Sequence, residues 1–143
     1  MTTISLGLVP SHYTDLFGPD EPCLTYPDGQ VTWSELESRS NRRARLLKDH
    51  GVSPNDFVTV ALENSTLFHE VCFSLWKLGA TPHVVSPRLP MIELKAILEL
   101  LKPTTVIGAD SLSIPGHPSI GIGCDLQKYS DMPFPSLVAR HWK

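Results

Sequence analysis

Side chains that could bind an anion follow two apolar segments in the middle of the chain. Asn64-Ser65-Thr66 stands directly before a helical apolar pattern, and the free amides at a helix start can hold a phosphate or a carboxylate. The same residues suit an N-cap, whose side-chain oxygen accepts hydrogen bonds from those amides. Arg88 follows a proline turn and could bind an anion through its guanidinium fork, or form an ordinary ion pair. The residue types favour the cap and leave both alternatives open for Arg88.

Histidines and cysteines are the other candidates for metal binding or base catalysis. His69 and Cys72 are spaced i, i+3 on one predicted helix and could both contact a metal ion, but no second ligand pair accompanies them. His83 lies within an apolar segment and is predicted to be a hydrogen-bonded core or switch-point residue rather than a base. Cys23, Cys72 and Cys124 are an odd number without a CxxC pair, which argues against a disulfide framework or a zinc cluster. Reduced, mostly buried thiols and no metal site are therefore expected.

Motifs of several enzyme classes are missing from the sequence. There is no GxxxxGK[ST] loop for the phosphates of a nucleoside triphosphate and no GxSxG elbow for a serine hydrolase. Gly121-Ile122-Gly123 begins a GxG pattern, but no third glycine follows at the required position. Glu63 and Asp110 alone do not form the acidic cluster that Mg²⁺ needs. The residues by themselves predict no catalytic constellation.

The first elements predicted are a β-hairpin and a long helix. Cys23–Tyr26 and Gln30–Thr32 flank Pro27-Asp28-Gly29, and an Asp-Gly turn between two short strands is typical of a hairpin. Thr32 and Glu35 have the spacing of a capping box, which predicts a helix that begins there and ends near Gly51. A run of basic residues on this helix is expected to form a solvated face: Arg39, Arg42, Arg43, Arg45 and Lys48.

A regular alternation of strands and helices follows. Apolar, β-rich segments at Phe57–Ala61, Thr81–Val85 and Thr105–Gly108 predict three strands. Helical patterns at Ser65–Leu78 and Pro90–Lys102 separate them, and crossovers of that length suit parallel strands with right-handed connections. The fold class is therefore predicted to be α/β, with a parallel-sheet β-α-β-α-β subdomain preceded by the small hairpin and its helix.

Length, charge and composition set limits on the type of protein. The 143 residues suit one domain, and 12 Lys+Arg against 15 Asp+Glu give a net charge of −3 without the basic stripe that a nucleic-acid binder needs. No apolar segment approaches the length of a membrane span, and the start of the chain does not resemble a secretory signal, so a soluble cytoplasmic protein is expected. We divide the chain into a lead-in at 1–22 with one helical turn at Thr14–Phe17, the α/β subdomain at 23–108, and a loop-rich tail with one short strand at 109–143.

Several of these segments together resemble the adenylate-forming superfamily, which includes acyl-CoA synthetases, luciferase and the adenylation domains of peptide synthetases. The stretch Thr32–Arg42 is similar to the family's T-[YW]-x-E-L-x-x-x-[SV]-N helix start. Leu62–Ser65 resembles its [LM]-x-N-S turn, Trp76–Ala80 its x-K-x-G-A, and Ser86–Pro90 its [ND]-P-x-x-P. The similarity runs in unbroken order over about residues 24–108. Three positions depart from the family pattern: Asn55, His83 and Ser86.

This resemblance implies the outer part of the large N-terminal domain of an acyl-CoA synthetase. The family's phosphate-binding Ser/Thr/Gly-rich loop, its ribose-binding aspartate and its C-terminal lysine have no counterpart here, and Ala139–Lys143 resembles the stretch just before that loop in acyl-CoA synthetases, including the bile-acid–CoA-ligase-like branch. The implied function is therefore that of an amino-terminal fragment of an ATP-dependent acid–CoA ligase, inactive by itself and without a catalytic residue of its own. The parent enzyme, of the kind found in fatty acid metabolism, is expected to use ATP, Mg²⁺ and CoA.

The resemblance also suggests a ligand surface and partners. The helix after the Ser86–Pro90 turn can lie near the CoA nucleotide in related enzymes, which makes Arg88 and Lys95 candidates for that contact, with a solvated surface pair as the alternative. The expected partners are the remainder of the adenylating domain and a second copy through exposed apolar surface. Two other functions stay open at this point: a free-standing, non-catalytic α/β interaction module, and a flavodoxin-like nucleotide binder.

Overall fold

The computed structural model describes residues 3–110, 112–121, 123 and 125–135. Cys124 and the Ala139–Lys143 stretch that resembles acyl-CoA synthetases lie outside these residues. The elements within them, in chain order, are a short 3-10 helix (Leu6–Leu8), α1 (Val9–Phe17), β1 (Pro22–Tyr26), β2 (Gly29–Thr32), α2 (Trp33–Asp49), β3 (Phe57–Val60), α3 (Thr66–Leu78), β4 (Thr81–Val84), α4 (Met91–Leu101), β5 (Thr105–Gly108) and β6 (Ser119–Gly121). None of the helices in this part of the chain combines the length and apolar character needed to cross a bilayer.

The hairpin and the start of α2 form as the sequence predicts. Strands β1 and β2 pair antiparallel, with Tyr26 opposite Gly29 at the turn. The Thr32 hydroxyl accepts from the Glu35 amide at 3.1 Å, and a Glu35 carboxylate oxygen accepts from the Thr32 amide at 2.9 Å. This capping box is confirmed, and it satisfies two amide donors that the first turn of a helix otherwise leaves unpaired.

The helix in the amino-terminal segment is longer than the single turn predicted at Thr14–Phe17. Helix α1 spans Val9–Phe17 and has Pro10 in its first turn, where the missing amide of proline costs no hydrogen bond. Its Tyr13 ring stacks on Trp33 of α2, with ring centroids 4.9 Å apart. A side chain at Gly7 would lie 2.9 Å from the backbone of Lys77, so this segment passes directly over α3. Packing on α2 and α3, which the sequence pattern does not reveal, stabilises the longer helix.

Four parallel strands form the main sheet, in the order β4-β3-β5-β6. Strand β3 pairs with β4 on one side and with β5 on the other, in register from Phe57 opposite Thr81 and from Val58 opposite Thr105. The β-α-β-α-β unit is confirmed, and β6 extends it by a fourth strand. Because β4 and β5 lie on opposite sides of β3, right-handed crossovers place α3 and α4 on opposite faces of the sheet.

Two apolar cores, one on each face, reflect this arrangement. Neighbouring residues of β5 point to different faces: Ile107 packs with α2 and α3, and Val106 packs with α4. All of β5 is buried, as an interior parallel strand requires. The edge strand β4 is half-exposed and contains Pro82, which an edge position tolerates because its missing amide leaves no partner unpaired across the sheet.

The basic run on α2 is not the uniformly solvated face that the sequence predicts. Arg39 does lie at the surface and pairs with Glu35 at 3.5 Å. Arg43, however, is buried at 6% exposure, and its guanidinium contacts a Glu70 carboxylate oxygen of α3 at 2.8 Å. Arg42 and Arg45 donate to backbone carbonyls of the carboxyl-terminal segment. The prediction was wrong for these three because their partners are distant in sequence, and a charge pattern along one helix cannot indicate them.

The buried pair between α2 and α3 leads to a stability prediction. The change Glu70→Ala leaves the Arg43 guanidinium buried without its carboxylate, and we expect it to lower the free energy of unfolding by about 3 kcal/mol. The matched control Arg39→Ala removes an exposed pair on the same helix and should cost less than about 1 kcal/mol. Urea denaturation measures both. Equal losses in the two variants would contradict the buried pairing.

Candidate functional site

The carboxyl edge of the parallel sheet is the natural ligand position in this topology. The chain runs from β3 to one side of the sheet and from β4 back to the other side, so the ends of β3 and β5 flank the switch point. Ligands of open parallel sheets bind in the crevice outside that edge. The polar residues that reach it are Glu63, Asn64 and Ser65 after β3, Arg88 after β4, and Asp110 after β5.

The start of α3 is capped by the chain itself. The Ser65 hydroxyl accepts from the Phe68 amide at 3.2 Å and donates to the Glu63 carbonyl at 3.1 Å. The Ser65 carbonyl in turn contacts the Nδ1 atom of His69 at 2.7 Å. Of the two alternatives for Asn64-Ser65-Thr66, the structure confirms the N-cap, with Ser65 as the capping residue.

Arg88 joins two loops of this edge through an ion pair. Its Nε atom lies 3.1 Å from a Glu63 carboxylate oxygen, with the two side chains 81% and 64% exposed. An ion pair so exposed contributes little stability and leaves most of the guanidinium accessible. Lys95 lies on the exposed side of α4 and forms no ion pair within the described part of the chain. CoA binding by Arg88 and Lys95 stays a prediction.

The Gly121-Ile122-Gly123 pattern has a structural role at the same edge. An Asp110 carboxylate oxygen accepts from the Gly123 amide at 2.9 Å. A Cβ on Gly123 would lie 2.7 Å from that carboxylate, and one on Gly121 would overlap it. Glycine is therefore required here by close approach of an acidic side chain, a use that the sequence analysis did not identify. The signal available was the GxG itself, without a helix to make it a dinucleotide motif.

The crevice at the switch point is narrowed by an apolar side chain. A Leu112 methyl group fills the space that a Cβ at Gly108 would take, and Gly108 is the last residue of β5. Leu112 also packs against the core beneath α4. An apolar side chain therefore covers the backbone at the carboxyl end of β5.

Two histidines and a cysteine that were considered as metal ligands or bases, His69, His83 and Cys72, are engaged within the fold. The Nδ1 atom of His83 lies 3.1 Å from the Thr59 hydroxyl, which confirms the prediction of a hydrogen-bonded residue. Cys72 is buried, while the Nδ1 atom of its neighbour His69 contacts a carbonyl. No three His, Cys, Asp or Glu side chains cluster as metal ligands among the residues that the structure describes.

A second concave surface lies at the opposite edge of the sheet. This open groove of about 1030 Å³ runs between the amino-terminal segment and the end of α3, and it reaches Thr81, the first residue of β4. Its floor includes Leu6, Leu8 and Trp76, with His12 and Asp15 among its polar lining residues. It is separate from the carboxyl-edge rim, because Thr81 begins the strand whose other end leads to Arg88.

The model of the family described as AMP-binding enzyme matches residues 17–131, which include the hairpin and the whole sheet. The chain belongs to this AMP-binding enzyme family. The resemblance seen in the sequence is thereby confirmed, and the flavodoxin-like alternative loses its support. The capped helix start of α2 and the turn before α3 are the places where the family pattern and the observed geometry coincide.

The curated relatives that this chain matches include large peptide synthetases. Nonribosomal peptide synthetase 5 of Gibberella zeae is 30% identical over 105 residues, which is 69% of this chain and 1% of that protein. The dimodular nonribosomal peptide synthase of Bacillus subtilis is 30% identical over 95 residues, 66% of this chain and 4% of that protein. The chain therefore spans only a small part of the length of these relatives.

Solved structures show the same fold. NpsA of Klebsiella oxytoca in complex with 3-hydroxyanthranilyl-AMSN superposes with a TM-score of 0.80 at 19% identity, over 93% of this chain and 28% of that one. A benzoate CoA ligase of Burkholderia xenovorans LB400 superposes with a TM-score of 0.68 at 17% identity, over 76% of this chain and 22% of that one. At these identities the likeness establishes the fold, that of an amino-terminal adenylation subdomain.

The buried thiol of α3 gives a test of the described environment. Burial raises the pKa of Cys72 to about 11, and only the thiolate reacts readily with alkylating agents. At pH 8 we expect iodoacetamide to modify Cys72 about a hundredfold more slowly in the folded chain than in urea. Cys23, which is only half-buried, serves as the internal comparison and should react faster. Similar folded and unfolded rates at Cys72, measured by peptide mass spectrometry, would refute this environment.

The glycines beside Asp110 give a second test. Gly121→Ala should lower the free energy of unfolding by about 2 kcal/mol, because its methyl group overlaps the Asp110 carboxylate. In an Asp110→Ala background the same change should cost much less. A double-mutant cycle from urea denaturation measures this coupling. Additive costs would show that the carboxylate does not require glycine at this position.

Proposed function

We propose that this chain forms the amino-terminal part of the catalytic domain of an enzyme that activates a carboxylic acid with ATP. The match of the AMP-binding family over residues 17–131 carries the proposal. The small share of each relative that the chain spans supports a remainder of the adenylating domain as its partner. On this proposal the residues after 135 lead towards the phosphate-binding loop of that domain.

The proposed reaction has two steps. A carboxylate oxygen attacks the α-phosphorus of ATP, the bond to the pyrophosphate oxygen breaks, and an acyl-adenylate forms. A thiol sulfur then attacks the acyl carbon, its proton is released to solvent, and AMP leaves with the bonding electron pair. The described residues hold no cluster of metal ligands, so we assign no Mg²⁺ step to them. Their contribution is to hold the loops that position the reactants.

Two thiols are candidates for the second step. Peptide synthetases among the relatives, and the similarity to an adenylation–PCP di-domain from Klebsiella oxytoca with a TM-score of 0.81 at 19% identity, favour a carrier-protein thiol and an amino or aryl acid. The benzoate CoA ligase and the Ser86–Pro90 turn favour CoA. In the CoA alternative we propose that Arg88 and Lys95 contact the CoA phosphates, because both cations are exposed, Arg88 in the turn before α4 and Lys95 within that helix.

The first experiment is to sequence the encoding DNA beyond codon 143. An open frame that continues into a Ser/Thr/Gly-rich loop with a lysine supports the proposal, and its product should then catalyse carboxylate-dependent exchange of pyrophosphate into ATP. A stop codon directly after Lys143 would refute the ligase assignment and leave a non-catalytic interaction module as the function of the chain.

The thiol acceptor is tested on the same product. If CoA is the acceptor, AMP release depends on CoA, and the double change Arg88→Ala, Lys95→Ala should raise the KM for CoA by about tenfold through loss of charge-assisted contacts. Arg39→Ala, an exposed arginine on α2, is the matched control and should leave that KM unchanged. AMP release that depends on a carrier protein and not on CoA would overturn the CoA alternative.

A further inference from the structure

A short extended segment of the tail is bound along α2 through its main chain. Five consecutive backbone carbonyls, from Tyr129 to Pro133, accept hydrogen bonds from side chains of that helix. The bonds are Arg42 Nη1 to Tyr129 O at 2.7 Å, Arg45 Nη1 to Ser130 O at 2.9 Å, Asn41 Nδ2 to Asp131 O at 3.0 Å, Arg45 Nη1 to Met132 O at 2.8 Å and Arg45 Nη2 to Pro133 O at 3.3 Å. These five hydrogen bonds offset part of the conformational entropy that is lost when the segment is ordered. They are made by the main chain of the segment, so they do not require particular side chains in it.

One aromatic residue closes the segment. The Phe134 amide donates to the side-chain oxygen Oδ1 of Asn41 at 3.3 Å. The Phe134 ring is buried at 8% exposure, and the Arg45 guanidinium carbon lies 5.5 Å from its centroid. Asn41 therefore contacts the segment twice, as a donor and as an acceptor, and its orientation decides whether both bonds form.

The orientation of Asn41 is fixed by a series of contacts that leads into the core. Its Nδ2 atom also donates to a Glu37 carboxylate oxygen at 3.0 Å. The other carboxylate oxygen of Glu37 accepts from the Lys77 ammonium of α3 at 2.7 Å. Lys77 is 1% exposed, so burial lowers its pKa, and the contact with Glu37 opposes that shift. The Glu37 carboxylate thus joins Asn41 of α2 to the buried Lys77 of α3, one oxygen to each.

We propose that Glu37 and Asn41, held by Lys77, are positioning residues that fix segment 129–134 on α2 and so set the direction in which the chain leaves Pro135. An effect of this attachment on catalysis rests on the proposed function, in which the residues after the segment lead to the phosphate-binding loop. The Lys77 ammonium donates to Glu37, and it acts on the segment through Glu37 and Asn41.

The test compares two amides by hydrogen exchange in the full 143-residue chain. The Phe134 amide reports the attachment of the segment, and the Ala61 amide, which donates to the Ile107 carbonyl at 2.8 Å, reports the stability of the sheet. Local release of the segment raises the exchange rate at Phe134 alone, whereas global destabilisation raises the rate at Ala61, which exchanges only when the sheet opens. The readout is therefore the ratio of the two rates.

Lys77→Met removes the ammonium and keeps most of the side-chain volume. We expect it to raise the Phe134-to-Ala61 ratio by about tenfold, as loss of one well-oriented hydrogen bond would, and Asn41→Ala to raise the ratio at least as much. The matched control Arg43→Met breaks the other buried ion pair between α2 and α3, so it lowers global stability and should not raise the ratio. A ratio for Lys77→Met equal to that of Arg43→Met would overturn the proposal. If Lys77→Met does not fold, the same comparison of the Phe134-to-Ala61 ratio with that of Arg43→Met is made for Glu37→Gln and Asn41→Ala.

The catalytic part is tested separately in the adenylating protein that contains this chain. Asn41→Ala with Arg45→Ala, which releases the segment, should raise the KM for ATP several-fold more than it lowers kcat, because only the attached fraction binds productively. If the wild-type protein shows no pyrophosphate exchange, the proposed function is refuted. The hydrogen-exchange result for the attachment of segment 129–134 would still stand. Active wild-type protein with an unchanged KM in the double variant would refute the positioning role alone.

Discussion

Helix α2 packs on α3 through an apolar stripe that encloses two ion pairs, and the other parts of the fold attach to this contact. The hairpin leads directly into α2 through the capping box at Thr32. The sheet packs beneath both helices, and the amino-terminal segment crosses α3 at Gly7. Charges buried at Arg43 and Lys77 are costly unless each keeps its carboxylate, so they favour one register of the two helices over its alternatives.

The described residues form a scaffold with an open rim rather than a complete site. Two pairs of loops are joined at the carboxyl edge: Arg88 binds Glu63, and Asp110 binds Gly123. At this edge Leu112 covers Gly108, the last residue of β5. The chain spans 28% and 25% of two solved structures that share its fold.

Local sequence signals predicted most of the elements and their order. The capping box, the Asp-Gly turn, the regular spacing of apolar segments and the Ser65 cap depend on residues close in sequence, and each appears as expected. Helix α1 is longer than predicted because its stability comes from the Tyr13–Trp33 contact with α2. The relation to adenylate-forming enzymes was also readable, because the order of several short motifs is more specific than any one of them.

The sequence by itself determined the α/β class, the parallel order β-α-β-α-β and the family, since hydrophobic periodicity and turn residues act locally. Only the tertiary structure decided the roles of the charged residues. Arg43 belongs to a basic run that was predicted to be solvated, and lysine is rarely buried, yet Arg43 and Lys77 are both buried against carboxylates far along the chain. Asn41 and Arg45 bind the segment at 129–134 for the same reason. A burial pattern identifies where a side chain points, but the partner that makes a buried charge tolerable is set by how the helices pack.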